Sequence, residues 1–375
     1  MQKKTIKLLH TEWSKGWGGQ EIRILAESKA FQKKGYDVRI AAQPDSRLLS
    51  EAQKSGIPTL SITMNKGLNL PAMAQLWKYI REEQIDIVHT HSSVDSRTAG
   101  IAAKLAGAAV VRSRHISLPI SKRRFTYWQY MKLADIVIVS GSYIRERMIT
   151  DNGMDPEKIV SAPAGIDITQ FSLERPMENI RPRYGLDESD FVVGQVSVLR
   201  SWKGHRYLLE AADRLKEELP DLKVLIVGSG PQEANIRRMV EDLGLSDRVI
   251  LTGHQKDPAP FFKAMDVVTL LSYRGEATSQ VLPQAMAMKK PVISTHAGGL
   301  AEVAIEGETA LVVPPQNSDA VAEAIKTLYH DRDLRRSLGE KGRRLTLERF
   351  TFEKMIETTE RAYLSVLKKP ESVTE

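Results

Sequence analysis

The chain has 375 residues, 42% hydrophobic and 27% charged, with a formal net charge of +7 and no cysteine. That length supports two domains, and the lack of any apolar run of 18 residues excludes a membrane-spanning helix. Without cysteine there is neither a disulfide framework nor a thiolate metal site, and a cytoplasmic protein is expected.

A positive balance attracts polyanions such as sugar-nucleotide phosphates or anionic lipid. No nucleic-acid partner is expected, because no stretch interleaves Lys/Arg with aromatics in the manner of a stacking platform and no helix-turn-helix or zinc pattern is present. The opening MQKKTIKLLHTEWSKGWGG has only a short apolar stretch, interrupted by His10, Glu12 and Lys15, so it reads as a first strand and not a signal peptide.

Short β-branched runs follow at TIKLLH (5–10), YDVRIAA (36–42), IDIVHTH (85–91), AAVVRSR (108–114) and ADIVIVS (134–140). Between them, 20–34, 70–83, 94–106 and 123–133 have helical apolar spacing. The pattern restarts beyond the Pro- and charge-rich RPMENIRPRYGLDESD. Strands are expected at 191–199, 222–228, 248–253, 266–272 and 290–299, with helices such as 205–219 and 231–243, and 317–367 nearly all helical. Regular βα alternation predicts parallel sheets covered by helices. The fold class expected is therefore α/β with two Rossmann-like domains, their sheets facing an interdomain cleft. The boundaries expected are 1–180, 190–350 and a C-terminal helix and tail at 351–375. Ligands of such sheets sit beyond the carboxyl ends of strands. This selects the loops 11–19, 89–97, 112–119, 199–205, 228–231, 253–257, 272–280 and 295–302.

Gly16, Gly18 and Gly19 precede a helix whose first N–H groups could meet an anion; a plain tight turn fits the same residues. Arg200 and Lys203 stand before another helix, suited to a pyrophosphate or to a solvated basic loop. In GEATSQVLPQAMA, Thr278 or Ser279 can cap a helix and Pro283 fits only its first turn. Glu276 then either grips sugar hydroxyls beside the amides of Ala277 and Thr278, or serves the helix as a dipole partner or capping acid. His89 and His91 share a strand face but have no third ligand near in sequence, so no metal site is expected. His115 suits a polar contact to substrate or a structural hydrogen bond. VGSGP around Gly228 lacks the third glycine of a dinucleotide turn.

Together these loops resemble family 4 of the retaining glycosyltransferases, which have the two-domain GT-B fold. The resemblance covers essentially the whole chain, from Gly18-Gly19 through PAGIDITQF (163–171) and Arg200…Lys203-Gly204 to GEATSQVLPQAMAMKKPVISTHAGGLAEVAIEGETALVVPP. It implies transfer of a sugar from a UDP-, GDP- or ADP-linked donor to a glycan or lipid-linked acceptor of the cell-surface polysaccharide or lipopolysaccharide type. It also implies retained configuration and neither metal nor other cofactor. Arg200 and Lys203 would hold the diphosphate, His115 would lie near the sugar, and Glu276 with Ala277, Thr278 and Ser279 would take its hydroxyls. Gly18, Gly19, Gly228, His254 and Gln255 would complete the donor site. The family carries a second Glu on the ribose where this chain has Gln284, which can still accept but has lost the charge. The basic, aromatic SKRRFTYWQYMKLA (121–134) suits either an anionic membrane surface or a packed helix. A GT-B nucleotide-sugar epimerase and a two-lobed solute-binding protein are the alternatives.

Overall fold

Strands with both faces covered need apolar residues on both, and the observed strands satisfy this. The computed structural model describes residues 4–67 and 69–367; the tail at 368–375 lies outside them. One compact unit is the chain through Pro163 together with the segment from Met355, and the other is Ala164–Lys354.

The first unit alternates β1 (Lys7–Glu12), α1 (Gly19–Lys33), β2 (Asp37–Ala42), α2 (Arg47–Lys54), β3 (Thr59–Ser61), α3 (Leu70–Glu82), β4 (Ile87–Thr90), α4 (Ser93–Ala106), β5 (Ala109–Arg114), α5 (Arg124–Trp128), β6 (Ile136–Val139), α6 (Ser142–Thr150) and β7 (Ile159–Ser161). Its strands form a parallel sheet in the order β3-β2-β1-β4-β5-β6-β7. Every residue of β4 and β6 is buried, as a sheet covered on both sides requires. Helix starts follow their capping chemistry. Asn69 accepts from the Ala72 amide, and Ser92 with Asp95 forms a reciprocal capping box.

The second unit contains β8 (Phe191–Val196), α7 (His205–Leu215), β9 (Leu222–Val227), α8 (Glu233–Asp242), β10 (Val249–Leu251), α9 (Ala259–Ala264), β11 (Val267–Leu270), α10 (Val281–Ala287), β12 (Val292–Ser294), β13 (Ala310–Val312), α11 (Ser318–His330) and α12 (Arg332–Arg349). The sheet order is β10-β9-β8-β11-β12-β13, again parallel. A last helix, α13 (Phe352–Leu367), follows.

In both sheets the chain order reverses once, between β1 and β4 and between β8 and β11. Such a reversal opens a crevice beyond the strand ends, because the connections on either side leave in opposite directions. The glycine loop and HTHSS flank the first reversal. Arg200, Lys203 and Glu276 flank the second.

Two expected helices differ. The 205–219 helix stops at Leu215, and 123–133 divides into α5 and a π-turn at Gln129–Leu133. The three-residue strands β3, β7 and β13 are too short for alternation to reveal them.

Candidate functional site

The β8–α7 loop is held tightly. Gly204 has φ +78, and a Cβ there would collide with the Leu271 carbonyl at the end of β11. Only glycine meets both conditions, since an L side chain disfavours that φ and has no room. Gly228, at φ +141, lies in the same way against the Ser197 carbonyl. The Tyr273 amide donates to Trp202 O at 3.0 Å, joining the two loops that carry Lys203 and Glu276.

These constraints bring Lys203 Nζ to 2.5 Å from Glu276 Oε1, with the two side chains only 17% and 8% exposed. Ser272 Oγ donates to the same oxygen at 2.6 Å. The Glu276 carboxylate is thus an ion-pair partner. It is not the helix cap that its position in sequence also allowed, and α10 begins only at Val281. Its N-cap, Gln280, makes no side-chain cap bond, and Ser279 Oγ accepts from the Val281 amide at 3.4 Å. Thr278 turns instead toward Glu302, donating at 3.3 Å. Pro283 falls in the first turn of α10, as expected. Gln284 is half-buried on that helix, and Ala277 packs its carbonyl against Gly299.

Arg200 is exposed, its guanidinium 5.1 Å from the Trp202 ring centre. Next to Lys203, His205 accepts or donates at 3.0 Å to Ser197 Oγ. Burial, then the Lys203 charge, lowers its pKa to about 4. Gly228 N donates to Gly253 O at 2.9 Å, which joins the loop of Gly228 to that of His254 and Gln255. His254 is exposed, and Gln255 Nε2 donates to Thr252 O at 2.9 Å. A cavity of about 650 Å³ opens beside Arg200 between α7 and α8, lined also by Tyr207, Met239 and Tyr273. Neither Lys203 nor Glu276 lines it.

Two family models cover most of the chain. One, described as Glycosyltransferase Family 4, matches residues 17–170, and the other, Glycosyl transferases group 1, matches 176–345. The chain belongs to the family 4 glycosyltransferases. EpsD of Bacillus subtilis is 29% identical over 367 residues, covering 92% of this chain and 94% of EpsD. A solved glycosyltransferase of Rickettsia africae superposes with a TM-score of 0.90 at 22% identity, covering 98% of this chain and 100% of that one. HepE of Anabaena, solved in complex with UDP, gives 0.83 at 21%, covering 96% and 100%. These structures share the GT-B fold. The epimerase and solute-binding alternatives are not favoured.

In the first unit of this glycosyltransferase, Gly18 is extended (φ −145), and its amide donates to the carboxylate of Glu21 at 2.8 Å. One of the N–H groups expected to be open to an anion is therefore taken by the helix's own acid. Gly19 has open space where a side chain would be.

Sequence spacing left His89 and His91 without a third imidazole, and here the structure corrects it. Parallel pairing sets His10 of β1 opposite His89, and ring nitrogens of His10, His89 and His91 lie within 4.8 Å of one another. Five of these six nitrogens already have partners. His89 meets Tyr363 OH at 2.6 Å and Ser113 Oγ at 2.8 Å. His10 Nδ1 meets His91 Nε2 at 3.0 Å, His91 Nδ1 meets His115 Nε2 at 3.2 Å, and His115 Nδ1 meets Ser140 Oγ at 3.2 Å. His10 Nε2 is buried without a partner. An orphan lone pair costs less than an orphan N–H, so Nδ1 carries the proton and the chain of bonds donates from His10 toward Ser140. Both nitrogens of His115 are therefore engaged, and a contact to sugar has to exchange one of these bonds.

Sequence reading missed Ser272, Trp202 and His10. Ser272 could have been found as the polar residue two past β11, four before Glu276. His10 could not, because its partner His91 lies 81 residues away.

Proposed function

We propose that this glycosyltransferase moves a sugar, with retention, from a nucleoside diphosphate to a glycan or lipid-linked acceptor without using a metal ion. The buried Lys203–Glu276–Ser272 arrangement beside Arg200, at the sheet reversal of the second unit, is the observation that carries this reading. Glu276 accepts both bonds on Oε1, which leaves Oε2 for a sugar hydroxyl. Ala277 and Thr278 offer amides, Gln284 accepts from the ribose, and Arg200 with Lys203 faces the diphosphate. Gly228, His254 and Gln255 complete the donor contacts within the second unit.

The bond from the anomeric carbon to the β-phosphate oxygen breaks, and the charge that grows on that oxygen is stabilised by the two cations. The acceptor oxygen bonds to the anomeric carbon on the same face, and its proton passes to the departing phosphate. The products are a glycoside and a nucleoside diphosphate.

The test is a panel of UDP-, GDP- and ADP-sugars with EDTA present, following nucleotide release. UDP-sugars come first because HepE was solved with UDP. One donor class should turn over. Activity that vanishes on chelation and returns with Mg²⁺ or Mn²⁺ would overturn the metal-free mechanism. Gln284→Glu should be tolerated, changing mainly donor KM. Glu276→Gln should lose about ten- to a hundredfold in rate, the worth of one charge-assisted hydrogen bond made in the transition state.

We also propose that the protein works peripherally on the inner face of a membrane, on the lipopolysaccharide or polysaccharide side of cell-surface synthesis. No helix among the described residues is long and apolar enough to cross a membrane. Support for peripheral contact comes from α5. Phe125, Tyr127 and Trp128 are 51%, 40% and 37% exposed, next to exposed Lys122, Arg123 and Arg124, while Tyr130 and Met131 are buried. Changing the three basic residues to Ser should lower binding to anionic vesicles, and salt should do the same. Binding indifferent to both would show that α5 serves packing alone.

A further inference from the structure

A second cavity, of about 590 Å³, lies in the first unit beyond the carboxyl ends of β1, β2 and β3, and is unused by the donor contacts above. Trp13, Lys15, Gln43, Met64 and Lys66 are among its lining residues. Trp13 is half-buried, and Lys66 Nζ is 5.8 Å from its ring centre. The nearby Trp17 is different. It packs on the core around Ile24 and Leu48, and Arg47 covers its ring at 4.8 Å. Trp13 is therefore the indole with a face to offer.

The floor of the cavity is fixed. Gln43 Nε2 donates to Met64 O at 2.5 Å, and Gln43 Oε1 accepts from Met64 N at 3.2 Å. Lys15 and Lys66 are exposed at the rim, and among the described residues no acidic side chain lines the space. The nearest acid in sequence, Glu12, is fully buried and accepts from the Ser14 amide at 2.7 Å. Burial, then the charge of Asp95, pushes its carboxyl up to about 8, so it does little to offset the two ammonium groups at neutral pH.

An indole face suits the apolar side of a pyranose ring, and paired ammonium groups suit a carboxylate or phosphate. A bare phosphate would leave both the indole and most of the volume unused. We propose that this cavity binds an anionic pyranose of the acceptor, its ring on Trp13 and its charged group at Lys66 and Lys15. Assigning the sugar to the acceptor rests on the transfer reaction proposed above; binding of the sugar itself does not.

The experiment is ligand-observed NMR and tryptophan fluorescence on the full chain, without donor. The probes are glucose, glucose 6-phosphate, glucuronate, inorganic phosphate and UMP. Glucose 6-phosphate and glucuronate should bind at least about tenfold more tightly than glucose or phosphate alone, as one charge-assisted contact gives. The paired change Lys15→Ser and Lys66→Ser should erase that preference, and Trp13→Leu should weaken binding of both anionic sugars, with circular dichroism unchanged. Equal binding of glucose, retention of the preference in the lysine pair variant, or UMP binding that is tighter than that of the anionic sugars and is weakened by the same Trp13 and lysine changes would overturn the proposal. Nucleotide-sugar binding, measured separately, reports on the second unit. A chain that binds no nucleotide sugar but does bind glucose 6-phosphate would refute the transfer reading and leave the anionic-sugar site standing.

Discussion

Lys203→Ala should abolish sugar transfer and destabilise the second unit by about 3–5 kcal/mol, the usual cost of breaking one side of a buried ion pair. Lys203 and Glu276 are 2.5 Å apart and nearly enclosed, and removing the ammonium leaves the carboxylate with Ser272 as its remaining partner. The loss should be visible in urea unfolding. Adding Glu276→Gln to Lys203→Ala should recover much of the stability, since the buried charge is then gone, but none of the activity. Arg200→Ala provides the contrast. That side chain is exposed and rests over Trp202, so transfer should fall while stability changes little. A Lys203→Ala protein that unfolds like the wild type would mean the pair contributes nothing to the fold. One that also turns over normally would remove Lys203 from the diphosphate.

Acid should unfold the first unit well above the pH at which ordinary carboxylates titrate. Burial lowers the His10 pKa to about 3 and, with neighbouring charges, holds His89, His91 and His115 well below the ordinary histidine value. Each is depressed in the folded state, so the unfolded chain takes up protons that the folded chain refuses. That stability is fully present above the unfolded value of about 6.5 and is lost as pH falls below it, for His10 toward about 3. Glu12 and Asp95 oppose this, because burial raises them and their contribution is lost as pH rises, for Glu12 between about 4.5 and about 8. Four depressed imidazoles outnumber the two raised acids, so the stability of the first unit should fall as pH drops below about 6.5. Urea midpoints at pH 6.5, 5.5 and 4.5 measure it. Midpoints that hold steady or rise on acidification would mean the imidazoles are not buried neutral.

The sequence by itself determined the architecture and which loops lie beyond the strand ends. Runs such as IDIVHTH and DVVTLLS are apolar on both faces because a parallel sheet under helices leaves neither face wet, and local pattern suffices to detect that. The same rule placed Arg200, Lys203 and Glu276 at strand ends before any contact was known. What the tertiary structure alone decided is which groups pair. Glu276 could equally have capped a helix until the Gly204–Leu271 contact set Lys203 beside it, 73 residues away in sequence. His10 entered the imidazole cluster only through the β1–β4 register, and His115 proved to have both nitrogens occupied. Pairings of this kind depend on long-range register and on close backbone approach. No local spacing encodes either, so they become visible only when the sheet is assembled.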